Sequence, residues 1–412
     1  MNLLCVDIGT SSLKAAVISE DGKVLAFKRR FLLLYTTENA SREWFSTLQN
    51  VIKDLFEINK DLKVDGLCVS GNGPTLVTST GKTMLWNEEV QPLKTKSLFI
   101  PRIAAFKDKL GAEWDEIKTI FSGPEFLINR LTDAEITILP HERYLEAYWI
   151  KTEFEKCGLS SEDFEKMPPF VAPGELAGKL THKAASFLTA EDNGIVDGLP
   201  VYCGAPDFIS ALVGTNTLVP GTLCDRAGSS EGINFCTEKM LVAEGLRSLP
   251  SIAEGKFNAS VLLPETGTKF AAFKQKLERE AGREFRFHDL IDDVIMSDGT
   301  NASYDQGKYL MMQTALDVRN AVAKLRSAAK DNGIHFPDSM VITGGQCLHD
   351  GWNQMKADIT GMVIYVTECP DAELLGDAIF VFVKMGLFSS IEEAASKLVK
   401  KSKKFVPHED AE

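Results

Sequence analysis

Two short segments, one in each half of the chain, share the pattern L-C-x-x-x-G-[ST]-S: residues Leu4 to Ser11 and residues Leu223 to Ser230. In each copy an apolar run precedes the glycine and another follows the turn, which predicts a β-hairpin. A repeated supersecondary unit indicates duplication, although a match this short also arises by chance. The pattern predicts two similar domains with a phosphate held between the two turns.

The first turn carries the groups that bind phosphate. Gly9 allows a tight turn whose N–H groups converge, and the residues at positions 10 to 12 add three hydroxyls. Lys14 adds a positive charge. Asp7, at the end of a buried strand, suits a hydrated Mg²⁺. The competing interpretation is an ordinary Gly-Thr hairpin with a solvent-facing Asp, since polar glycine turns are common between strands.

Composition limits the classes of partner. The 412 residues are enough for two or three domains, and a net charge of -13 argues against a general nucleic-acid binder. The eight cysteines form no C-x-x-C pair and the six histidines show no metal-ligand spacing, which favours buried thiols in a reducing cytoplasm. We expect no signal peptide and no membrane span, because the chain enters a strand directly and its apolar runs are short.

Predicted strands alternate with predicted helices along both halves, which indicates two α/β domains with a cleft between them. Residues 90 to 170 are predicted to be mostly helical, residues 282 to 307 are polar and poorly patterned, and the lysine-rich stretch 397 to 404 is predicted to be a solvated helix end. Pro220-Gly221 is the best boundary. The predicted domains are therefore residues 1–218 and residues 219–412.

A second, weaker internal similarity links residues 201–207 to residues 364–371. Both run from a strand through a short loop to Pro-Asp and an apolar helix, but their alignment needs a one-residue gap. Asp207 and Asp371 are the acids at the two helix starts. We interpret Asp371 as a helix N-cap.

Six motifs stand out. In chain order they are Asp7-Ile8-Gly9-Thr10-Ser11-Ser12-Leu13-Lys14, Val69-Ser70-Gly71-Asn72-Gly73-Pro74-Thr75, Gly204-Ala205-Pro206-Asp207, Ala227-Gly228-Ser229-Ser230, Thr343-Gly344-Gly345-Gln346 with Trp352-Asn353-Gln354-Met355-Lys356-Ala357-Asp358, and Glu373-Leu374-Leu375-Gly376-Asp377-Ala378. Together they resemble the FGGY family of carbohydrate kinases, in the superfamily of actin and hexokinase, and the last is similar to its pattern E-x-x-x-G-A-A. The resemblance covers nearly the whole chain, and its strength lies in the order and spacing of the six motifs.

The resemblance implies two ribonuclease-H-like (actin-like ATPase) domains, ATP and Mg²⁺ as cofactors, and a phosphotransferase with an alcohol group as acceptor. Asp207 would be the catalytic base, and Asp7 and Asp207 would lie at the metal. The nucleotide would contact Gly9, Thr10, Ser11, Ser12, Lys14, Gly228, Ser229, Ser230, Gly344, Gly345, Gln346 and Asn353. The sugar would contact Asn72, Gly73, Pro74, Trp86, Glu88, Asp207 and Phe208.

Two departures from the family put the substrate in question. The family's W-x-D-x-R element is represented by Trp86 with Glu88 at the Asp position and Val90 at the Arg position, so a strong directional donor is missing. Arg102 is a candidate to replace that donor in space. The chain is also shorter than most members, and only Leu262 to Gly267 resembles a fragment of the family's F-L-P-Y-L-x-G-E-R-x-P segment.

The leading hypothesis is an ATP-dependent kinase of a small sugar or polyol, such as the ketopentoses xylulose and ribulose. The second is a catalytically impaired regulatory protein that binds nucleotide and sugar on the same scaffold. The third is another enzyme of the superfamily, such as an acyl-phosphate kinase or an ATPase that activates a partner. We expect a small-molecule partner, no nucleic acid and no membrane, and the sequence allows a homodimer.

Overall fold

A computed structural model describes residues 1–32 and 36–408, and the chain divides into two compact units. The N-terminal unit contains Met1–Ser210 and Glu373–Ala394, and the C-terminal unit contains Ala211–Ala372 and Ala395–Glu412. The predicted α/β class is confirmed, because each unit has a mixed sheet with helices packed against it. The units break at residues 210/211 and again at 372/373 and 394/395, whereas the predicted domains have one boundary.

The strands, in chain order, are β1 (Asn2–Ile8), β2 (Ser12–Ser19), β3 (Val24–Phe31), β4 (Gly66–Gly71), β5 (Leu76–Thr78), β6 (Thr83–Met84), β7 (Ile120–Phe121), β8 (Thr137–Ile138), β9 (Phe170–Val171), β10 (Leu176–Lys179), β11 (Pro200–Pro206), β12 (Leu223–Ala227), β13 (Glu231–Thr237), β14 (Arg247–Pro250), β15 (Phe257–Leu263), β16 (Ser339–Thr343), β17 (Val363–Thr367) and β18 (Lys401–Phe405).

The α-helices are α1 (Ala40–Ile58), α2 (Ile100–Leu110), α3 (Gly123–Thr132), α4 (Lys151–Lys156), α5 (Ser161–Glu165), α6 (His182–Leu188), α7 (Asp207–Gly214), α8 (Thr266–Ala281), α9 (Phe287–Ile295), α10 (Ala302–Asp331), α11 (Asp350–Thr360), α12 (Ala372–Lys384) and α13 (Ile391–Leu398). Short 3₁₀ helices are Gly111–Glu116, Glu142–Ala147, Glu191–Asn193 and Gly345–Leu348. None of the helices within residues 1–32 and 36–408 has the length and apolar character of a membrane span.

The two main sheets share a six-strand topology, to which the C-terminal sheet adds β14 at one edge. The N-terminal sheet has the order β10-β11-β4-β1-β2-β3, and the C-terminal sheet has the order β14-β15-β13-β12-β16-β17-β18. In each sheet a hairpin continues into two parallel neighbours, β4 and β11 or β16 and β17, and ends on an antiparallel strand. This shared order supports the predicted duplication. It also makes β11 and β17 equivalent strands, as the weaker similarity between residues 201–207 and 364–371 indicates.

Each sheet is covered by amphipathic helices. In the N-terminal unit α1 turns Trp44, Leu48 and Ile52 toward the sheet at helical spacing, and all three are fully buried. In the C-terminal unit α10 buries Val318 and Leu325 in the same way. The hydrophobic cores therefore lie between helices and sheet, and the carboxyl ends of the parallel strands are left for polar loops.

Three stretches differ from their predictions. The polar stretch 282–307 contains α9 and the start of α10. The first backbone N–H groups of α10 donate to the side chain of Asn301, a helix cap that the sequence prediction missed. Within residues 90–170, which the sequence predicted to be mostly helical, the 3₁₀ helix Glu142–Ala147 and α4 are separated by a break before Lys151. The stretch 397–404 is a helix end followed by β18, an edge strand on β17 whose lysines protect the exposed edge.

Candidate active site

The first glycine turn connects β1 to β2. The pairs Ile8–Leu13 and Asp7–Lys14 are cross-strand partners, so the aspartate and the lysine flank the turn. The Gly9 N–H donates to the Ser12 carbonyl oxygen at 2.9 Å. A Cβ atom on Gly9 would lie 2.9 Å from the same oxygen, which explains the requirement for glycine. The Ser11 residue is exposed at the tip, whereas Ser12 is buried as β2 begins.

Three charged side chains meet beside this turn. Lys14 Nζ lies 3.2 Å from Asp7 Oδ2 and 3.7 Å from Glu373 Oε1. The lysine side chain is 12% exposed, and both carboxylates are nearly buried. Glu373 belongs to the sixth motif but was not predicted as a site residue, because 359 positions separate it from Lys14 in the sequence. A phosphate at this turn would therefore meet a lysine that is already oriented by two carboxylates.

The predicted sugar loop follows β4, the parallel neighbour of β1. The Asn72 N–H donates to the Ile8 carbonyl oxygen at 2.9 Å, which anchors the loop beside the first turn. Thr75 Oγ1 donates to Asn72 Oδ1 at 3.1 Å. The Asn72 Nδ2 amide is buried and has no hydrogen-bond partner within the part of the chain described. A buried donor without a partner is costly, and a sugar hydroxyl would satisfy it. Gly73 and Pro74 form the outer, more accessible part of the loop.

Trp86 joins the predicted sugar and phosphate residues. Its indole N–H donates to Thr10 Oγ1 at 3.0 Å, and its backbone N–H donates to Thr75 Oγ1 at 3.1 Å. The side chain is half-buried. The structure therefore brings together three predicted contact regions that are far apart in the sequence.

Glu88 and Arg102 are both occupied by contacts within the protein. Glu88 Oε1 accepts from the Leu85 N–H at 2.7 Å, and Glu88 Oε2 lies 2.8 Å from Lys109 Nζ. Burial would raise the pKa of Glu88, but Lys109 and the hydrogen bonds lower it overall. Arg102 donates to the carbonyl oxygens of Leu85 and Glu88, both at 2.8 Å. The guanidinium thus supports the loop that carries Trp86, and its replacement of the missing sugar donor stays a prediction.

Asp207 begins α7 directly after β11. In the parallel ladder Ile8 pairs with Gly71, and Gly71 pairs with Pro206, so the first turn, the sugar loop and Asp207 follow three neighbouring strands. Adjacent strands lie about 4.8 Å apart, which puts the backbones of Asp7 and Asp207 roughly 10 Å apart. Asp207 is partly exposed, and its Oδ1 accepts from the Phe208 N–H at 2.6 Å. Phe208 is partly exposed beside it.

The donor set fits a magnesium ion that keeps most of its water. No group of three His, Cys, Asp or Glu side chains is arranged as a metal site in residues 1–32 and 36–408. Asp7 and Asp207 could each supply one carboxylate at this edge. Mg²⁺ in phosphoryl-transfer sites is typically bound by one or two carboxylates, by water and by phosphate oxygens. Zinc or calcium would need more protein ligands.

The second glycine turn connects β12 to β13 in the C-terminal unit. Ala227 pairs with Glu231, and the Gly228 N–H donates to the Ser230 carbonyl oxygen at 3.0 Å. Gly228 is exposed, and Ser229 and Ser230 are partly exposed. The hydroxyls and amides of this turn therefore remain near the surface of the unit, as a phosphate contact requires.

Gly344 and Gln346 approach this second turn from the end of β16. Gly344 has φ 95°, and a Cβ atom there would lie 2.6 Å from the Ala227 carbonyl oxygen, so only glycine fits. Gly345 begins the 3₁₀ helix that follows. Gln346 Nε2 donates to the Gly228 carbonyl oxygen at 2.9 Å, and its Oε1 accepts from the Trp352 indole at 3.0 Å. The second turn and the predicted adenine-side glycines therefore form one structural group.

Asn353 lies behind this group. Its side chain is fully buried, and Nδ2 donates to the Cys347 carbonyl oxygen at 2.8 Å. This geometry supports the 3₁₀ helix of residues 345–348, and a direct nucleotide contact by Asn353 stays a prediction.

A buried ion triad beneath the second turn was not predicted. Lys356 Nζ lies 2.9 Å from Asp225 Oδ2 and 3.0 Å from Glu231 Oε2, and all three side chains are fully buried. Burial would lower the pKa of Lys356, but the two carboxylates raise it overall. Burial raises the pKa of Glu231 to about 7. Asp225 and Glu231 flank the turn, so the lysine connects its two strands.

The start of α8 also contacts the second turn. The N–H groups of Gly267 and Thr268 both donate to the Ser229 carbonyl oxygen at 3.1 Å. A Cβ atom on Gly267 would lie 2.2 Å from the Gly228 carbonyl oxygen. The fragment from Leu262 to Gly267 was the available sequence signal, but on its own it gave no position relative to the turn.

Comparisons with known proteins agree with these motifs. Residues 310–385 match the model of the C-terminal domain of the FGGY family of carbohydrate kinases. The xylulose kinase of Bacillus subtilis (strain 168) is 22% identical over 479 aligned positions, which cover 98% of this chain and 92% of that protein. The autoinducer-2 kinase of Enterobacter sp. (strain 638) is 31% identical over 300 positions, 63% of this chain and 54% of that protein.

A comparison with solved structures also finds a kinase. The crystal structure of ligand bound xylulose kinase from Lactobacillus acidophilus superposes with a TM-score of 0.75 at 16% identity, over 100% of this chain and 94% of that one. At this identity the match shows a shared fold. The alignment with the Bacillus subtilis protein runs over 479 positions, more than the 412 residues here, so it contains gaps in this chain.

Proposed function

Since this chain belongs to the FGGY family of carbohydrate kinases, which are phosphotransferases, we propose that it transfers the γ-phosphoryl group of ATP to a hydroxyl of a small sugar or polyol. The proposed acceptor is a ketopentose such as xylulose or ribulose. Mg²⁺ bound to ATP is part of the proposal, as is a cytoplasmic location, which eight cysteines outside disulfide bonds favour.

The observation that carries this proposal is the ladder β1-β4-β11. It sets Asp7, the loop from Ser70 to Thr75, and Asp207 at the carboxyl ends of three adjacent parallel strands. Ligands of α/β proteins bind outside such strand ends. The separation of roughly 10 Å between the backbones of Asp7 and Asp207 leaves room for an acceptor and a hydrated cation.

In the proposed reaction, the Asp207 carboxylate accepts the proton of the acceptor hydroxyl as its oxygen attacks the γ-phosphorus. The bond from that oxygen to phosphorus forms, the bond from the γ-phosphorus to the bridging oxygen breaks, and ADP leaves with the electron pair. The Asn72 amide would donate to the acceptor, and Trp86 would form one wall of its site. Lys14 would neutralise charge on the phosphates. A magnesium ion near Asp7 would supply further charge neutralisation.

A coupled ADP-release assay with Mg-ATP tests the proposal against pentuloses, hexuloses, polyols and glycerol. We expect turnover with one class of acceptor and a loss of at least about 10²-fold in the Asp207→Ala variant, with ATP binding by calorimetry retained. Asp207→Asn is the matched variant, because it keeps the shape and removes the base. Normal turnover in both variants would contradict the role of Asp207.

A second candidate is a protein that binds nucleotide and sugar without turnover. The observation that favours it is that Glu88 pairs with Lys109 and that Arg102 donates to two backbone carbonyl oxygens, so both charged groups are already engaged within the protein. If no acceptor of the panel gave ADP release and calorimetry still showed ATP binding, this second candidate would be supported over the kinase.

A further inference from the structure

One face of α12 carries two acids, Glu373 and Asp377, four residues apart and therefore one above the other. Glu373 contacts Lys14 beside the first glycine turn. Asp377 is fully buried, and its role is not explained by the proposed reaction.

Asp377 contacts the helix that carries the predicted base. Ser210 Oγ donates to Asp377 Oδ1 at 2.6 Å. Ser210 lies three residues after Asp207 on α7, so both belong to the first turn of the same helix. The two helices are in backbone contact there, since a Cβ atom on Gly376 would lie 1.9 Å from the Ser210 carbonyl oxygen. Any sideways shift of the first turn of α7 would break the Ser210–Asp377 hydrogen bond.

Asp377 also lies near the other two strand ends of the site. After burial and Ser210, the groups that shift the pKa of Asp377 are the Ser70 hydroxyl and the Ala205 backbone, which lower it, and the Asp7 charge, which raises it; they belong to β4, β11 and β1. Ser70 Oγ in turn lies 3.4 Å from Asp7 Oδ1. Burial raises the pKa of Asp377 well above its usual range, which favours a neutral carboxyl that adds no charge beside Asp7.

We propose that Asp377 is a positioning residue: by accepting the Ser210 hydroxyl among the ends of β1, β4 and β11, it fixes the first turn of α7 and so the place of Asp207 relative to Asp7. The inference rests on the proposed function for its effect on turnover. Its structural part, the immobilisation of the first turn of α7, does not depend on that function.

The activity test uses Asp377→Ala, Asp377→Asn and Ser210→Ala in the full chain. We expect Asp377→Ala to lower kcat by about 10-fold with the KM for ATP changed less than twofold, because a small displacement of a base slows the reaction more than it weakens binding. Asp377→Asn keeps the acceptor oxygen and should restore kcat to within about twofold of wild type, by the same positioning argument. Ser41→Ala, which removes a buried serine hydrogen bond to Gly81, is the matched control and should leave kcat unchanged.

The double variant Ser210→Ala/Asp377→Ala tests whether the two residues act through one contact. We expect it to be no slower than the slower single variant, because the contact is lost once only. Independent, multiplying losses would overturn the proposal. A wild-type kcat in Asp377→Ala, or equal losses in Asp377→Ala and Asp377→Asn, would overturn it as well.

Hydrogen exchange gives the readout that does not need activity. In Asp377→Ala the amides of residues 208–212 should exchange about 10-fold faster, as expected for a loosened helix turn, while Asp377→Asn should stay at the wild-type rate. If this pattern is found and no acceptor is phosphorylated by the wild type, the proposed function fails and the immobilisation of α7 stands. If the wild type is active and exchange in Asp377→Ala is unchanged, the positioning role fails alone.

Discussion

The two glycine turns have the same sequence pattern and different local structures. The first leaves four residues, Gly9 to Ser12, between the paired residues Ile8 and Leu13, whereas the second leaves three, Gly228 to Ser230, between Ala227 and Glu231. Beside the first turn a lysine that is 12% exposed contacts two carboxylates. Beneath the second turn, the side chains of Lys356, Asp225 and Glu231 are fully buried.

This difference separates two uses of charge. Lys14, at the edge of the first turn, is 12% exposed, so its charge would be available to a phosphate bound there. Lys356 has no exposed surface, so its charge can only hold the strands of the second turn together. We therefore expect substitutions at the first turn to affect turnover most, and substitutions at the second to affect stability most.

The largest effect should come from Lys356→Met. At pH 8, above the raised pKa of Glu231, the substitution leaves two buried carboxylates without their cation, which typically costs about 3–5 kcal/mol in free energy of unfolding. Urea unfolding followed by circular dichroism measures the loss. The triple variant Lys356→Met/Asp225→Asn/Glu231→Gln is the control and should recover most of the stability, since it leaves no buried charge. A Lys356→Met variant as stable as wild type would remove the distinction between the turns.

Lys14→Met should produce the next largest effect, and it should appear in activity. Loss of one charged group that stabilises the transferring phosphoryl group typically lowers turnover by about 10²-fold. We expect a smaller loss of stability than in Lys356→Met, because water reaches the first turn. The ADP-release assay measures turnover, and Lys23→Met, which removes an exposed lysine paired with Asp21, is the control. Unchanged turnover would mean that the first turn also uses its charge only for structure.

The pH dependence of stability should distinguish the second turn further. Burial raises the pKa of Glu231 from 4.5 to about 7, so the folded state holds a proton that the unfolded state releases. The contribution is therefore fully present below pH 4.5 and is lost as the pH rises through 7. Unfolding measured at pH 5 and pH 8 should show wild type losing roughly 1–3 kcal/mol relative to Glu231→Gln. If the free energy of unfolding changed equally between pH 5 and pH 8 in wild type and Glu231→Gln, the raised pKa of Glu231 would be contradicted.

The smallest effect should come from the glycines themselves. Gly9→Ala places a Cβ atom 2.9 Å from a carbonyl oxygen, whereas at Gly228 the nearest atom is 3.5 Å away. We expect Gly9→Ala to lose about 1 kcal/mol of stability and Gly228→Ala less than about 0.5 kcal/mol. Thermal unfolding of the two variants provides the comparison. Equal losses would show that the two turns are strained alike, despite their different lengths.

The sequence predicted what local patterns encode. The glycine turns, the loop after β4 and the start of α7 are each contained in fewer than ten residues, so motif spacing was sufficient to find them. The contacts of Glu373, Asp377, Lys356 and Arg102 were not predicted, because the partners of each lie far away in the chain. Asp377 is 167 positions from Ser210, and Lys356 is 131 positions from Asp225. Such contacts depend on packing and have no local sequence signal.

The division of the chain also has a consequence for its synthesis. The N-terminal unit is discontinuous, since it includes Glu373–Ala394 as well as Met1–Ser210. When the first 210 residues leave the ribosome, Lys14 lacks Glu373, and Ser210 lacks Asp377. The final packing of this unit must therefore wait until Glu373–Ala394 has been translated. An expressed fragment that stops after residue 218 would lack those partners permanently.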